Sequence, residues 1–188
     1  MIASPPEQKN GKTWNPPREK IAGRWAEDDL AYATSGARIV AKILHLLDWA
    51  PSVCAAKRVL DYGCGTGRVS RPLAFHFGEV VGWDPVPECI EEAEAETRRM
   101  TIRGDPADAP RQPMIEPGRL SYMAVLDGAG GFDLVVCVNV LTHFAVVDRP
   151  QVVEDMASRL KEGGWIVVVD ANGERKAQRA DAQRLVIP

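Results

Sequence analysis

The stretch that most constrains this chain is Arg58-Val59-Leu60-Asp61-Tyr62-Gly63-Cys64-Gly65-Thr66-Gly67-Arg68-Val69. An apolar run closes on an acid, glycine fills three alternate positions, and a segment with helical character follows. That order reads as a strand, a tight turn and the start of a helix. Such a turn needs residues without side chains where a ligand approaches the backbone. Its free amides, together with the dipole of the following helix, favour an electron-rich ligand group. The dinucleotide-binding fingerprint G-x-G-x-x-G is not satisfied, because Arg68 stands at its third glycine position.

The rest of the chain repeats the alternation that this stretch begins. Strands are expected at Arg58–Tyr62, Glu79–Trp83, Leu120–Val125, Phe132–Val138 and Trp165–Val169. The last is an unbroken apolar run, the pattern of a strand buried on both faces. Between the strands lie helical patterns at Arg68–Phe77, from Pro87 to Arg99, and from Asp148 onward with Val153, Met156 and Leu160 facing inward. Gly163-Gly164 reads as the stop of that last helix. From about Ile21 to Trp49 the pattern is again helical, with Ile39, Ile43, Leu46 and Leu47 on one face and Ser35-Gly36 separating two helices. Strands alternating with helices imply a parallel sheet with right-handed crossovers. Ligands of such sheets bind at the carboxyl ends of the strands, beside the switch in strand order.

With 188 residues and 45% hydrophobic composition, one domain with one core is expected over residues 21–188, with a ligand-binding core at 57–170. Residues 1–20 hold Pro5, Pro6, Pro16 and Pro17 with few apolar anchors and read as a mobile arm. A net charge of −3 argues against a nucleic-acid partner, although the arm and the segment Glu174–Arg184 are slightly basic. No run is long enough to span a membrane. Cys54, Cys64, Cys89 and Cys137 form no C-x-x-C pair, so neither a metal site nor a disulfide framework is indicated. Reduced thiols in the cytoplasm are the default expectation.

Four features in order carry a resemblance. They are Asp61-x-Gly63-x-Gly65-x-Gly67, then Val80-Val81-Gly82-Trp83-Asp84, then Gly131-Phe132-Asp133-Leu134-Val135-Val136-Cys137 followed by Asn139-Val140-Leu141-Thr142-His143-Phe144, and finally Leu160-Lys161-Glu162-Gly163-Gly164-Trp165-Ile166-Val167-Val168-Val169. Over roughly Val59–Asp170 the chain resembles the Rossmann-like (class I) S-adenosylmethionine-dependent methyltransferases. The resemblance implies an α/β, doubly wound, mostly parallel sheet with helices on both faces. It implies S-adenosylmethionine as cofactor, held by the turn Gly63, Cys64, Gly65 and Gly67. Asp84, about 20 residues beyond the turn, is placed to accept both ribose hydroxyls. Asp61 would face the ammonium end of the cofactor, the alternative being a structural acid that holds the turn. Trp83 would line the adenine site or pack in the core. Asp127 is the expected neighbour of the adenine amino group, with Asp105 as its rival.

Asn139 to His143 falls where the transferable methyl should point. The base-amino tetrad Asn/Asp-Pro-Pro-aromatic fails after Asn139, and a cytosine-type Pro-Cys nucleophile fails because Val136 precedes Cys137. The form Leu-Thr-His-Phe is similar to the small-molecule branch, which implies a small-molecule acceptor with an O, N, C or S nucleophile. His143 is the general-base candidate, or else it orients the loop. Alternatives are a non-catalytic partner subunit of the same fold, or an enzyme acting on nucleic acid or protein. Resembling enzymes continue past the fifth strand with a helix and two further strands. Only 18 residues follow Asp170 here, enough for a short helix at Glu174–Gln183 and a short strand at Leu185–Ile187. The C-terminal strands are therefore expected to be shortened, leaving Trp165–Val169 near a sheet edge. A bare apolar edge is an aggregation hazard, so a homodimer through it is expected, with a fold-back of Arg184–Pro188 or a longer parent protein as alternatives.

Overall fold

The unbroken apolar runs form the middle of one sheet, and burial from both sides is why they carry no polar alternation. The computed structural model describes residues 29–102, 112–170 and 175–179. The proline-rich arm, Asp105 and Arg184–Pro188 lie outside the described residues. The strands are β1 (Arg58–Tyr62), β2 (Glu79–Trp83), β3 (Thr101–Ile102), β4 (Gln112–Pro113), β5 (Leu120–Met123), β6 (Phe132–Val138), β7 (Leu160–Val169) and β8 (Arg175–Arg179). The helices are α1 (Asp29–Leu47), α2 (Pro51–Cys54), α3 (Ser70–Ala74), α4 (Pro87–Arg99) and α5 (Arg149–Ser158). The main sheet runs β5-β2-β1-β6-β7-β8, while β3 and β4 make a separate two-stranded ribbon.

All pairings from β5 through β7 are parallel, and strand order reverses on either side of β1. The switch point therefore lies between the ends of β1 and β6. Apolar residues alternate between two layers. Val59, Val80, Leu134 and Val136 pack with Val40, Ile43, Leu73 and Phe77 of the α1/α3 side. Leu60, Val81, Val135 and Cys137 pack with Val152, Val153 and Met156 of α5. No helix among the described residues is long and apolar enough to cross a membrane.

Four expectations need correction. The first is α1, which is continuous through Ser35-Gly36 rather than two helices. Gly36 is there for contact, since a Cβ on it would lie 2.1 Å from the Arg68 carbonyl oxygen. The helix therefore crosses the glycine-rich turn at its only residue small enough to allow it. Second, the helix after the turn is shorter than Arg68–Phe77, beginning only at Ser70.

Third, Gly163-Gly164 does not stop α5, which ends at Ser158. These glycines lie inside β7, where pairing to β6 jumps from Phe132↔Leu160 to Leu134↔Trp165. Gly163 takes the extra chain through a left-handed conformation, φ 73°, that suits glycine. Fourth, Arg175–Arg179 is a strand, not part of a helix, and it pairs antiparallel with Trp165–Val169. The fifth parallel strand is therefore covered on both sides within the chain, by a different segment from Arg184–Pro188. The ground for expecting a homodimer through that edge is thereby removed.

Candidate functional site

Two acids end two adjacent strands at the switch point. Asp61, in β1, is buried and accepts a hydrogen bond from Ser70 Oγ at 2.6 Å. Asp84 follows β2 directly, and each of its oxygens meets a backbone amide. Gly65 N–H donates to Oδ2 at 2.9 Å and Val86 N–H to Oδ1 at 3.0 Å. Gly63 and Cys64 N–H both donate to the Trp83 carbonyl at 2.8 Å, which fastens the turn to the end of β2. The turn, β1 and β2 thus form one hydrogen-bonded unit with the two carboxylates on it.

The electrostatics are those of acids kept short of solvent. Burial pushes the Asp61 carboxyl up to about 6, against the Ser70 hydrogen bond and the Arg68 charge. Burial also raises Asp84, opposed by the amides of Val86 and Gly65 and by His143. The hydrogen bonds that both accept come from neutral donors, and each Asp84 oxygen keeps a further lone pair. A ligand that brings positive charge and hydroxyl donors suits this pair, and S-adenosylmethionine has both in its ammonium, sulfonium and ribose groups. The residues present therefore fit the cofactor that the resemblance implies.

The glycine-rich turn is held from several sides. Gly63, Gly65 and Gly67 all have positive φ. A Cβ on Gly63 would lie 2.5 Å from Val140 Cγ2, so this glycine makes room for the segment after β6 as well as for any ligand. Cys64 is buried, its thiol directed at the Gly65 carbonyl at 3.5 Å and raised well above its ordinary pKa by burial, then by Asp61 and Asp84. From α1, Tyr32 Oη lies 2.9 Å from Thr66 Oγ1, and Ser35 Oγ accepts from Arg68 Nη1 at 2.9 Å. Arg71 Nη1 donates to the Thr66 carbonyl at 2.7 Å.

The other expected residues fall in two groups. Asn139 and His143 lie at the carboxyl end of β6, on the far side of the switch point from β2. Asn139 is exposed with φ 58°, its N–H bound to the Val169 carbonyl at 2.7 Å. His143 closes the 3-10 turn Leu141–His143 and is exposed at the rim. Partial burial lowers its imidazole pKa, while the charges of Asp170 and Asp84 act to raise it. Trp83 and Asp127 are placed differently. Trp83 is in the core, 4.5 Å from the Tyr62 ring between centroids, and donates its indole N–H to the Ala124 carbonyl at 3.3 Å. Asp127 is exposed in the turn after β5, beside the buried Leu126.

Nothing in the sequence analysis singles out Ser70 or Thr66 for this site. Ser70 stood one turn past the glycines, the spacing at which a helix-start hydroxyl can reach back to the preceding strand. The Tyr32–Thr66 and Ser35–Arg68 contacts span 34 and 33 positions in sequence, and no local pattern announces them.

A family model described as a methyltransferase domain matches residues 32–185. The chain belongs to the methyltransferase-domain family. It is similar to the ubiquinone biosynthesis O-methyltransferase of Methylobacterium nodulans, with 34% identity over 122 residues, 65% of this chain and 44% of that protein. The enzyme of the same name from Bordetella pertussis is 26% identical over 157 residues, 84% of this chain and 60% of that protein. The chain thus spans 44% to 60% of the length of these relatives. Among solved structures it is similar to magnesium protoporphyrin IX methyltransferase from Synechocystis PCC 6803 with bound S-adenosylhomocysteine. That match has a TM-score of 0.56 at 20% identity and covers 80% of this chain and 63% of that one. An N-methyltransferase from Bradyrhizobium japonicum WM9, also in complex with S-adenosylhomocysteine, gives 0.54 at 23% identity and covers 77% and 64%. Both likenesses establish the Rossmann-like methyltransferase fold.

Proposed function

We propose that this chain binds S-adenosylmethionine and transfers its methyl group to a small-molecule acceptor. The observation that carries the reading is the pair Asp61 and Asp84 at the ends of adjacent strands, with Asp84 joined to the glycine-rich turn through the Gly65 amide and Asp61 to the following helix through Ser70. The relatives named as ubiquinone biosynthesis O-methyltransferases support a small-molecule acceptor.

When bound, the cofactor supplies an electrophilic methyl on a sulfonium sulfur. The protein's own tasks are then to bind, orient and exclude water. Asp84 accepts the ribose hydroxyls with the lone pairs that Gly65 and Val86 leave free. Asp61 balances the ammonium charge, and the turn Gly63, Cys64, Gly65 and Gly67 offers its backbone. Asp127 serves the adenine side, and Asn139, at the end of β6, completes the cofactor site near the methyl group. Trp83 supports the adenine side from beneath, by holding the Ala124 carbonyl. His143 takes the acceptor's proton where one must leave. Its lowered pKa leaves the imidazole neutral and able to accept at pH 7. The cytoplasm is the proposed location, supported by four cysteines that are all free.

The test is to incubate the chain with S-adenosylmethionine and panels of small phenols, catechols and amines, of nucleic acids and of proteins, and to follow S-adenosylhomocysteine formation. Turnover in the small-molecule panel alone is expected. Turnover only with a macromolecule would overturn the acceptor class, and turnover with none alongside cofactor binding would favour a non-catalytic subunit.

A further inference from the structure

Tyr122 lies in β5, paired in register with Gly82 of β2. The sequence offers no reason for a glycine inside β2, between Val81 and Trp83. The structure does, because a Cβ on Gly82 would lie 2.5 Å from Tyr122 Cδ1 and 2.8 Å from Cε1. The ring therefore occupies the space beside Gly82. Its hydroxyl reaches the turn, where a Cβ on Gly67 would lie 2.4 Å from Tyr122 Oη and 3.0 Å from Cζ. One tyrosine thus fills the space left by two glycines, one in the sheet and one in the ligand-facing turn.

The hydroxyl is also anchored. It lies 3.0 Å from Thr97 Oγ1 of α4, and Thr97 donates its one proton to the Ala93 carbonyl at 2.8 Å. Tyr122 is therefore the donor in its bond to Thr97. Ser70, which holds Asp61, lies against the same spot, 3.0 Å from a Cβ on Gly82. The tyrosine joins β5, β2, α4 and the turn at a single point.

We infer that Tyr122 is a positioning residue that sets the height of the Gly63–Gly67 turn above β2, acting on the cofactor only through that turn. The inference rests on the cofactor reading given above. A smaller side chain lets Gly67 settle toward the sheet and moves the Gly65 amide relative to Asp84. An added methyl at Gly82 lifts the ring and has the same consequence from below.

Isothermal titration with S-adenosylhomocysteine, alongside thermal unfolding without ligand, tests this in wild type, Tyr122→Phe, Tyr122→Ala, Gly82→Ala and the Gly82→Ala/Tyr122→Ala double variant. Tyr122→Ala should weaken binding about tenfold or more at temperatures where the variant is fully folded. Tyr122→Phe, which keeps the ring, should restore affinity to within about threefold of wild type. Gly82→Ala should weaken binding alone but add much less in the Tyr122→Ala background, since the severe clash is with that ring and only the 3.0 Å approach to Ser70 Oγ remains. Should Tyr122→Ala not fold, Tyr122→Leu replaces it in both backgrounds. Wild-type affinity in a folded Tyr122→Ala or Leu variant, or additive effects of Gly82→Ala, would overturn the inference while leaving the cofactor reading intact. Failure of the wild type to bind would overturn the cofactor reading and this inference with it.

Discussion

Replacing Asp61 with asparagine should stabilise the ligand-free protein at neutral pH while weakening its hold on the cofactor. The carboxyl is fully buried, and burial moves its pKa from 3.8 to about 6. That displacement corresponds to about 3 kcal/mol of preference for the protonated acid in the folded state. Because the folded pKa is raised, the favourable contribution is complete below about pH 4 and is lost as the pH climbs to about 6. Above that the native protein carries the whole cost of a buried charge. Asparagine avoids the cost and still accepts the Ser70 hydroxyl that lies 2.6 Å from Asp61 Oδ2. Urea unfolding of both proteins from pH 4 to pH 8, without ligand, measures the difference. The variant should match wild type near pH 4, pull ahead through pH 6, and level off with a lead of up to about 3 kcal/mol. A lead that does not vary with pH, or a variant less stable than wild type at pH 7, would refute the reasoning.

Three further outcomes follow from the same geometry. Gly36→Ala should cost about 1–3 kcal/mol in thermal or urea unfolding, because the added methyl meets the Arg68 carbonyl at 2.1 Å. Asp133 is buried, which acts to raise its pKa, but the Arg58 amide at 2.9 Å, Lys161 and Lys57 outweigh burial and lower it. Asp133→Asn should therefore cost about 1–3 kcal/mol at pH 7, and the cost should vanish as acid protonates the wild-type group below about pH 4. The His143 imidazole should titrate below 6.5 when followed by nuclear magnetic resonance of the ligand-free protein. A value above 7 would remove it as a base at neutral pH.

What the sequence showed and what it hid differ in physical kind. β1, β2 and β6 were legible to the residue because strands buried on both faces have no choice but to be apolar, and β1 and β2 run directly into a glycine and an acid. Asp61 and Asp84 were legible for the same reason, as charges at the ends of runs that exclude charge. Gly36, Gly67 and Gly82 were readable as glycines but not as neighbours of Arg68 and Tyr122, since those partners come from distant elements. Arg175–Arg179 contains residues that favour helices, yet the open edge at Trp165–Val169 offers its backbone a ladder of partners, and that context overrides propensity. Gly163-Gly164 looked like a helix stop because a bulge and a C-cap both call for a left-handed residue.

The central claim is that this fold holds S-adenosylmethionine through the acid after β2 and the turn beside it. Isothermal titration of S-adenosylhomocysteine into wild type and Asp84→Ala tests it most directly. One site per chain is expected for wild type. Asp84 bonds the Gly65 and Val86 amides and offers its remaining lone pairs to the ribose. Its loss should cost about 1.5–3 kcal/mol of binding, roughly a 10- to 150-fold weaker affinity. Absence of binding by the wild type would contradict the account, and equal affinity in the variant would contradict the role of Asp84.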